Sequence, residues 1–490
     1  MVRRTAGLLV ASLVLALSAT PLTPSVRAVG ATTWVVAHED EVLEYTVGSA
    51  CADPDFWTDG SWSEPGSGDG AYDSDEDAIQ DAIDNAASGD TIYVCFGRYE
   101  FDTDLHIFDP GMDLTIVGDG IGETVLDGTD STRLINADPA VANDGGGTLT
   151  LRDLSMEDAH TETEFDNGGA VKADGLSLTR VSISGSDGAY NGGALYAEGN
   201  VTIADSTFTD NNSSEDGAVL YAWNTLRSVT ISNSVFVGNT AGQVGGAINA
   251  TTVTVTGSTF TNNDAVYGGA IYTDSTATVT ASTFTGNTAD DGGGAIYSDI
   301  TATATNSTFT NNAAAVGGAI ATEGDVNVTN STFTNNAAEF GGAIVAVNTA
   351  TATNSTFTNN DAVGGGAIAT EGDVNVTNST FTSNDAALYG GAIYTGTGTI
   401  ARSRFTKNSA GENGGAVALF LPDNVALQQL RGNTFSRNIA AAGGAITLGP
   451  CIVPTRSQAA RVERANRFRG NRATEQRRTS NVERSEAFIC

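Results

Sequence analysis

Gly317-Gly-Ala-Ile-Ala-Thr-Glu-Gly-Asp-Val-Asn-Val-Thr-Asn-Ser-Thr-Phe-Thr-Asn-Asn336 is one turn of a repeat. Tripeptides ending at Ala170, Ala194, Ala218, Ala247, Ala270, Ala295, Ala319, Ala343, Ala367, Ala392, Ala416 and Ala445 mark the repeat along the chain. All read Gly-Gly-Ala except the third, which reads Asp-Gly-Ala. Most lie 23 to 25 residues apart, and two spacings are 29. A second mark, Phe-x-x-Asn, runs in phase at Phe208, Phe236, Phe260, Phe284, Phe309, Phe333, Phe357, Phe381, Phe405, Phe435 and Phe468. Self-similarity at a fixed period of this size is the signature of a solenoid.

Each repeat holds short runs rich in Val, Ile and Thr, broken by Gly, Asn and Asp, which is strand-and-turn composition. No repeat carries a helical period over ten residues, so helical and leucine-rich repeats fit poorly. Alternation puts Val326 and Val328 on one face and Asn327 and Thr329 on the other. Coils stacked in parallel rise by about 4.8 Å each. Stacking turns each repeat position into a column. The residue after the tripeptide reads Val171, Leu195, Val219, Ile248, Ile271, Ile296, Ile320, Ile344, Ile368, Ile393, Val417 and Ile446, all aliphatic, so this column points inward. The Phe column is a second interior ladder, suited to stacked rings. The Gly-Gly pair marks a turn where positive φ or close backbone approach excludes a Cβ. The Asn column belongs at another turn, with its amides bonding from coil to coil.

The pairing of Gly-Gly-Ala-Ile with Phe-x-x-Asn resembles the repeats of chlamydial polymorphic outer membrane proteins. It is also similar to secreted right-handed parallel β-helix proteins with the pectate-lyase-like superfold. The resemblance covers Asn167 to about Asn471. It implies an all-β fold: a right-handed parallel β-helix of roughly 13–16 coils. The superfold hosts polysaccharide lyases and glycoside hydrolases, and the repeat family implies an adhesin. Those repeat proteins end in a membrane β-barrel, for which this chain leaves no room.

The organisation expected is a signal peptide at 1–28, an N-terminal cap region at 29–90, irregular early coils at 91–166, regular coils at 167–450 and an Arg-rich cap at 451–490. Arg3 and Arg4, an apolar run from Gly7 to Leu17 and Val26-Arg-Ala28 make the signal pattern. No later run is long and apolar enough for a membrane helix. An amphipathic helix is expected at 75–88, with Ile79, Ala82, Ile83 and Ala86 on one face and Gly89 as its stop. Asp90-Thr-Ile-Tyr-Val94 then reads as a strand. Helix followed by strand is similar to the start of pectate-lyase-like β-helices, where a helix covers the open core. Asp73-x-Asp75-x-Asp77 mimics a calcium loop but has Ala78 where that loop needs Gly. After Cys451, nine Arg face four Glu, and Phe468-x-x-Asn471 marks one last degenerate coil.

The formal charge is −35, and no Lys or Arg occurs from Ser228 to Ala401. That disfavours nucleic acid and anionic membranes as partners of the rod. It suits high salt, divalent cations or cationic targets. Four cysteines sit in pairs near the two ends, and disulfide geometry allows only near neighbours, so Cys51–Cys95 and Cys451–Cys490 are the expected staples.

The search for chemistry finds little. A lyase needs a base beside calcium-binding carboxylates, and the regular coils supply none. An inverting hydrolase needs carboxylates about 6.5–9.5 Å apart. Asp290-Asp291 is the only Asp pair in the regular coils. The histidines are His38, His106 and His160. One mixed-charge segment, 152–180, holds Arg152, Asp153, Glu157, Asp158, His160, Glu162, Glu164, Asp166 and Lys172. It is a candidate site, with a solvated face as the plainer reading. Thr256, Thr280, Thr305, Thr329, Thr353 and Thr377 form an outward column. Thr254, Thr278, Thr303 and Thr351 form its neighbour, broken by Asn327 and Asn375. Such Thr arrays resemble ice-binding faces. The two 29-residue spacings locate corner insertions carrying Trp223 and Leu226, and Phe420 and Leu421. Loops on a rigid scaffold commonly hold binding residues.

The sequence therefore reads as a secreted or cell-surface, non-catalytic, adhesin-like scaffold. The alternatives are a polysaccharide lyase or glycosidase, and an ice-binding protein. No cofactor is expected, with calcium left open. The partner is a surface ligand, glycan or protein, with no nucleic acid and no membrane insertion.

Overall fold

The computed structural model describes residues 33–36, 75–108, 111–137, 146–161, 166–222, 228–420, 430–448, 456–474 and 482–484. They form an all-β parallel solenoid of about 13 turns. At about 4.8 Å per turn the rod is about 60 Å long.

One coil shows how the repeat folds. Ile320–Thr322, Asp325–Thr329 and Thr332–Thr334 are its three main strands. Each pairs in parallel with its equivalents: Ile296 with Ile320 and Ile344, Ala302 with Val326 and Ala350, Phe309 with Phe333 and Phe357. A fourth, shorter side bridges Ala313 to Ala337 and Val316 to Phe340. The corners are set by left-handed residues: Gly317 (φ 62°), Asn330 (φ 53°) and Asn335 (φ 55°). Asn and Gly adopt this region at least cost. The second glycine of the pair answers to space. A Cβ on Gly318 would lie 2.3 Å from the Gly342 carbonyl oxygen of the next coil.

The interior is the one expected. Ile320, Val326, Val328 and Phe333 are buried, with Asn327 and Thr329 half-buried on the outer side. The Phe rings stack without a break from Phe208 to Phe468, with centroids 4.5–5.1 Å apart. At the corner after the Phe strand, the Asn amides form a continuous ladder from Asn211 to Asn471. A parallel serine ladder was not anticipated. Ser307 N–H donates to Ser331 Oγ at 3.1 Å, and that hydroxyl donates to Thr329 O at 2.9 Å.

One member of the aliphatic column is corrected. Leu220, not Val219, pairs with Leu195 and Ile248. Gly217 (φ 59°) takes the first glycine position of that coil, and Ala218 the second. Ala218 packs there in a buried cluster with Ala241 and Ala265. The Asp-Gly-Ala triplet is thus one residue out of phase with the others.

The ends are covered. The N-terminal helix spans Asp75–Asn85, three residues shorter than expected. The Asp90 carboxylate accepts the Ala87 N–H and draws the chain out of the helix, and Gly89 turns at φ 93°. Ile79, Ala82 and Ile83 close the core at this end. Thr33–Val36 adds a strand in parallel to Thr91–Val94, in a segment whose fold the sequence did not disclose. At the other end a helix, Arg456–Ala465, buries Val462 in the core. The expected last coil follows: Phe468 pairs with Phe435, and Asn438 donates to Asn471 at 2.9 Å.

Candidate functional site

The outer side of the strand that follows Gly-Gly-Ala departs most from the repeat's monotony. Its outward residue reads Lys172, Tyr196, Tyr221, Asn249, Tyr272 and Tyr297 in register from coil to coil. Leu195, Leu220, Ile248, Ile271 and Ile296 fill the core just before it, so the alternation of the strand turns each ring outward. Tyr196 stacks on Tyr221 at 5.7 Å and Tyr272 on Tyr297 at 5.5 Å. Asn249 fills the place between the two pairs. Stacking along the rod covers the ring faces and leaves edges and hydroxyls outward.

Two residues beyond three of the four tyrosines stands a carboxylate, Glu198, Asp274 and Asp299, with Glu323 in the next coil. The tyrosines donate to these acids: Tyr196 to Glu198 at 3.4 Å, Tyr272 to Asp299 at 3.3 Å and Tyr297 to Glu323 at 3.4 Å. Asp216, just before the glycine corner of the Tyr221 coil, acts on both Tyr221 and Asp274. Burial, then Asp299 and Asp216, push the Asp274 carboxyl up to about 6. Burial also raises Asp216 and Asp299. Burial beside Glu198 pushes Tyr196 up to about 12, and burial beside Glu323 does the same for Tyr297. The face therefore offers hydroxyl donors and closely spaced negative charge.

The residues singled out from sequence are distributed otherwise. Trp223, Leu226 and Leu421 lie outside the described residues. Phe420 is half-buried against Tyr394, at 4.8 Å, on the same side of the rod as the tyrosine row. Leu220–Ala222 and Val417–Leu419, the strands just before the two insertions, both follow a glycine corner. The mixed-charge segment does not converge. Asp153 holds Arg180 by two bonds of 2.5 and 2.7 Å. Glu157 holds Arg98 at 2.9 Å, with Asp127 on the same guanidinium. His160 lies 3.8 Å from Asp187. Glu162 and Glu164 are outside the described residues, and Asp166 pairs with the buried Arg133, which also donates to Gly168 O at 2.9 Å. Asp290 and Asp291 are exposed on the short side of the coil, with Asp291 beside the Tyr267 hydroxyl. The Thr columns are in register, Thr280 beside Thr305 and Thr329 beside Thr353.

Cys95 is buried and is not a free thiol. Cys51, Cys451 and Cys490 lie outside the described residues. Among the described residues no group of three or more His, Cys, Asp or Glu is placed to hold a metal ion. No described helix is long and apolar enough to cross a membrane.

The tyrosine row was missed in the sequence although its signal was present. Leu195-Tyr-Ala-Glu198, Ile271-Tyr-Thr-Asp274 and Ile296-Tyr-Ser-Asp299 repeat one pattern. The phase error at Asp216-Gly-Ala218 hid Tyr221 from the column.

Residues 246–381 match the model of the right-handed β-helix region, and residues 378–396 match the chlamydial polymorphic membrane protein repeat. No curated protein sequence matches the chain. Similar solved structures include the catalytic unit of a GH87 α-1,3-glucanase from Streptomyces thermodiastaticus, at 15% identity and TM-score 0.34, covering 80% of this chain. This chain spans 64% of that one, under two thirds of its length. A mannuronic acid-specific family 6 polysaccharide lyase from human gut microbiota has 11% identity and TM-score 0.31, covering 81% of this chain and 85% of that one. The A-module of an Azotobacter vinelandii mannuronan C-5 epimerase has 12% identity and TM-score 0.26, covering 80% and 91%. The chain is a right-handed β-helix protein with repeats of the chlamydial polymorphic membrane protein type.

Proposed function

We propose that the chain is a secreted or cell-surface binding scaffold, adhesin-like and non-catalytic, whose ligand docks on the tyrosine–carboxylate face. One observation carries this reading. Tyr196, Tyr221, Tyr272 and Tyr297 stand in one outward column, in register, with Asn249 between the two pairs. A rigid rod holds them in place at little entropic cost on binding. The export pattern of residues 1–28 supports a place outside the cytoplasm, where disulfides persist. Cys51–Cys95 and Cys451–Cys490 are the pairings proposed, each closing one end of the rod.

The test is a polysaccharide panel with and without calcium, read for retention and for cleavage products. Retention without products is the expected result. Unsaturated or reducing-end products at enzymatic rates would replace this reading with a lyase or hydrolase.

A further inference from the structure

Over the last coils the short side of the rod is a sheet of its own. Its strands are Asp361–Gly364, Asp385–Tyr389, Ser409–Ala410, Ile439–Ala440 and Arg472–Ala473. Register stacks the first residue of each into one column: Asp361, Asp385, Ser409, Ile439, Arg472. The column runs from acid through neutral to base. Arg437, exposed at the corner two residues before Ile439, adds a second cation at that end. In earlier coils the same side has no base in its column, which reads Asp187, Asn212, Thr240, Asp264 and Thr288.

Both ends of the column lack a counter-charge. Among the described residues Asp361, Asp385, Arg437 and Arg472 enter no ion pair. Burial, then Asp385, raises the Asp361 carboxyl. The rod cannot satisfy these charges itself, because four coil steps, about 19 Å, separate Asp361 from Arg472. Between them Ile439 is 43% exposed. Val363, Ala387, Leu388 and Ala441 cover the rest of the side with apolar groups that are not fully buried. Glu412, on the same side, is engaged by the Tyr389 hydroxyl.

We propose that the chain pairs with a second copy of itself through this side, antiparallel, about a two-fold axis at Ser409. A column with acid at one end and base at the other complements itself when one copy is turned end for end. Asp361 then faces Arg472 of the second copy, and Arg472 faces its Asp361. Arg437 of the second copy comes toward Asp385, and Ile439 is covered. A parallel pair would set acid on acid and base on base, which costs affinity. The antiparallel arrangement is closed, so it stops at two copies.

The charge of the whole chain favours the same arrangement. Between Asn330 and Thr474 eleven Lys and Arg stand against eight Asp and Glu, although the chain carries −35. Overlapping these nearly balanced segments sends the acidic remainders to opposite ends of the pair, where they repel least. Five coils and four residues across give a face of roughly 24 by 13 Å on each copy, the size of a weak and reversible contact. The tyrosine row from Tyr196 to Tyr297 lies in earlier coils, outside the contact. The pairing thus goes beyond the scaffold reading and gives the scaffold two rows, with the gain in avidity that two linked sites bring.

Sedimentation velocity on the full chain, from micromolar to submillimolar concentration, reads the association. A reversible dimer is expected in low salt, weakened several-fold in high salt. Asp361→Arg sets Arg against Arg472 of the second copy, and Arg472→Glu sets Glu against its Asp361. Each variant alone should dimerise at least tenfold more weakly. Their equimolar mixture should dimerise about as tightly as the original chain, because the mixed pair has opposite charges at both contacts. Matching circular dichroism and unfolding midpoints establish that both variants fold. A chain that stays monomeric throughout the range in low salt overturns the proposal. So does a dimer that neither reversal weakens, or a mixture that associates no better than the separate variants.

Discussion

The side-chain amide of Asn336 donates to Oδ1 of Asn360 in the next coil at 3.0 Å, and the backbone N–H of Asn336 donates to the same oxygen at 3.0 Å. Asn360 Nδ2 in turn donates to Phe333 O at 3.1 Å and to Asn384 Oδ1 at 2.9 Å. Each amide thus satisfies backbone groups of a corner that strand pairing leaves unpaired. Asn360→Ala takes the acceptor from the Asn336 N–H and the donor from the Phe333 carbonyl, both buried, while the Asn336 amide keeps its bond to Phe309 O. The expected cost is about 3 kcal/mol, read as a lowered denaturant midpoint. Asn360→Asp should cost more, because it buries a charge in the same place.

Much of this rod was readable in the sequence because stacking makes every coil repeat one environment. A column of twelve residues averages out accidents, so the roles of Ile320, Phe333 and Asn336 were plain. What failed was local. Ala218 occupies a position that elsewhere holds glycine, and the triplet then mimics its neighbours one residue late. The Ser331 ladder was hidden because serine is common at any turn. The tyrosine row was hidden because tyrosine on a strand reads first as β-propensity, and only register shows four of them aligned.

Gly342 and Ala218 hold equivalent corner positions, one without a Cβ and one with. A Cβ on Gly342 would stand 2.3 Å from Gly366 O. Gly342→Ala should cost about 3 kcal/mol by forcing two coils apart. Ala218→Gly should cost only about 1 kcal/mol, through chain entropy and a lost methyl. Chemical unfolding of the two variants checks the correction made to that coil. Similar losses at both sites would refute it.

Ile320 is fully buried and Thr329 half-buried on the outer side. Ile320→Asp should destabilise the rod by about 4 kcal/mol or more, or prevent folding. Thr329→Ser should stay within about 0.5 kcal/mol. Thermal unfolding monitored at the strand signal measures both, and equal effects would overturn the assignment of inner and outer faces.

Non-reducing peptide mapping checks the staples. Cys51 should be recovered with Cys95, and Cys451 with Cys490. Removing either bond should lower stability by about 2–4 kcal/mol. A peptide joining Cys51 to Cys451 would contradict a rod about 60 Å long, since bridged Cα atoms lie within about 7 Å.

Asp274 makes the pH dependence of the rod calculable in sign. Its carboxyl titrates near 3.8 when unfolded and is raised to about 6 when folded, first by burial and then by Asp299 and Asp216. Between those values the folded chain holds a proton that the unfolded chain has released. The stability this contributes is fully present below the unfolded value and is lost as pH rises through about 6. Because the group is half-exposed, screening reduces the effect to about 1 kcal/mol. Asp274→Asn should therefore gain about 1 kcal/mol near neutral pH and flatten the stability profile between about 4 and 7. Denaturant midpoints of both proteins across that range decide the matter. A variant that is no more stable at neutral pH, with an unchanged profile, would show that Asp274 is solvated like any surface carboxylate and that the face lacks the crowded charge argued for it.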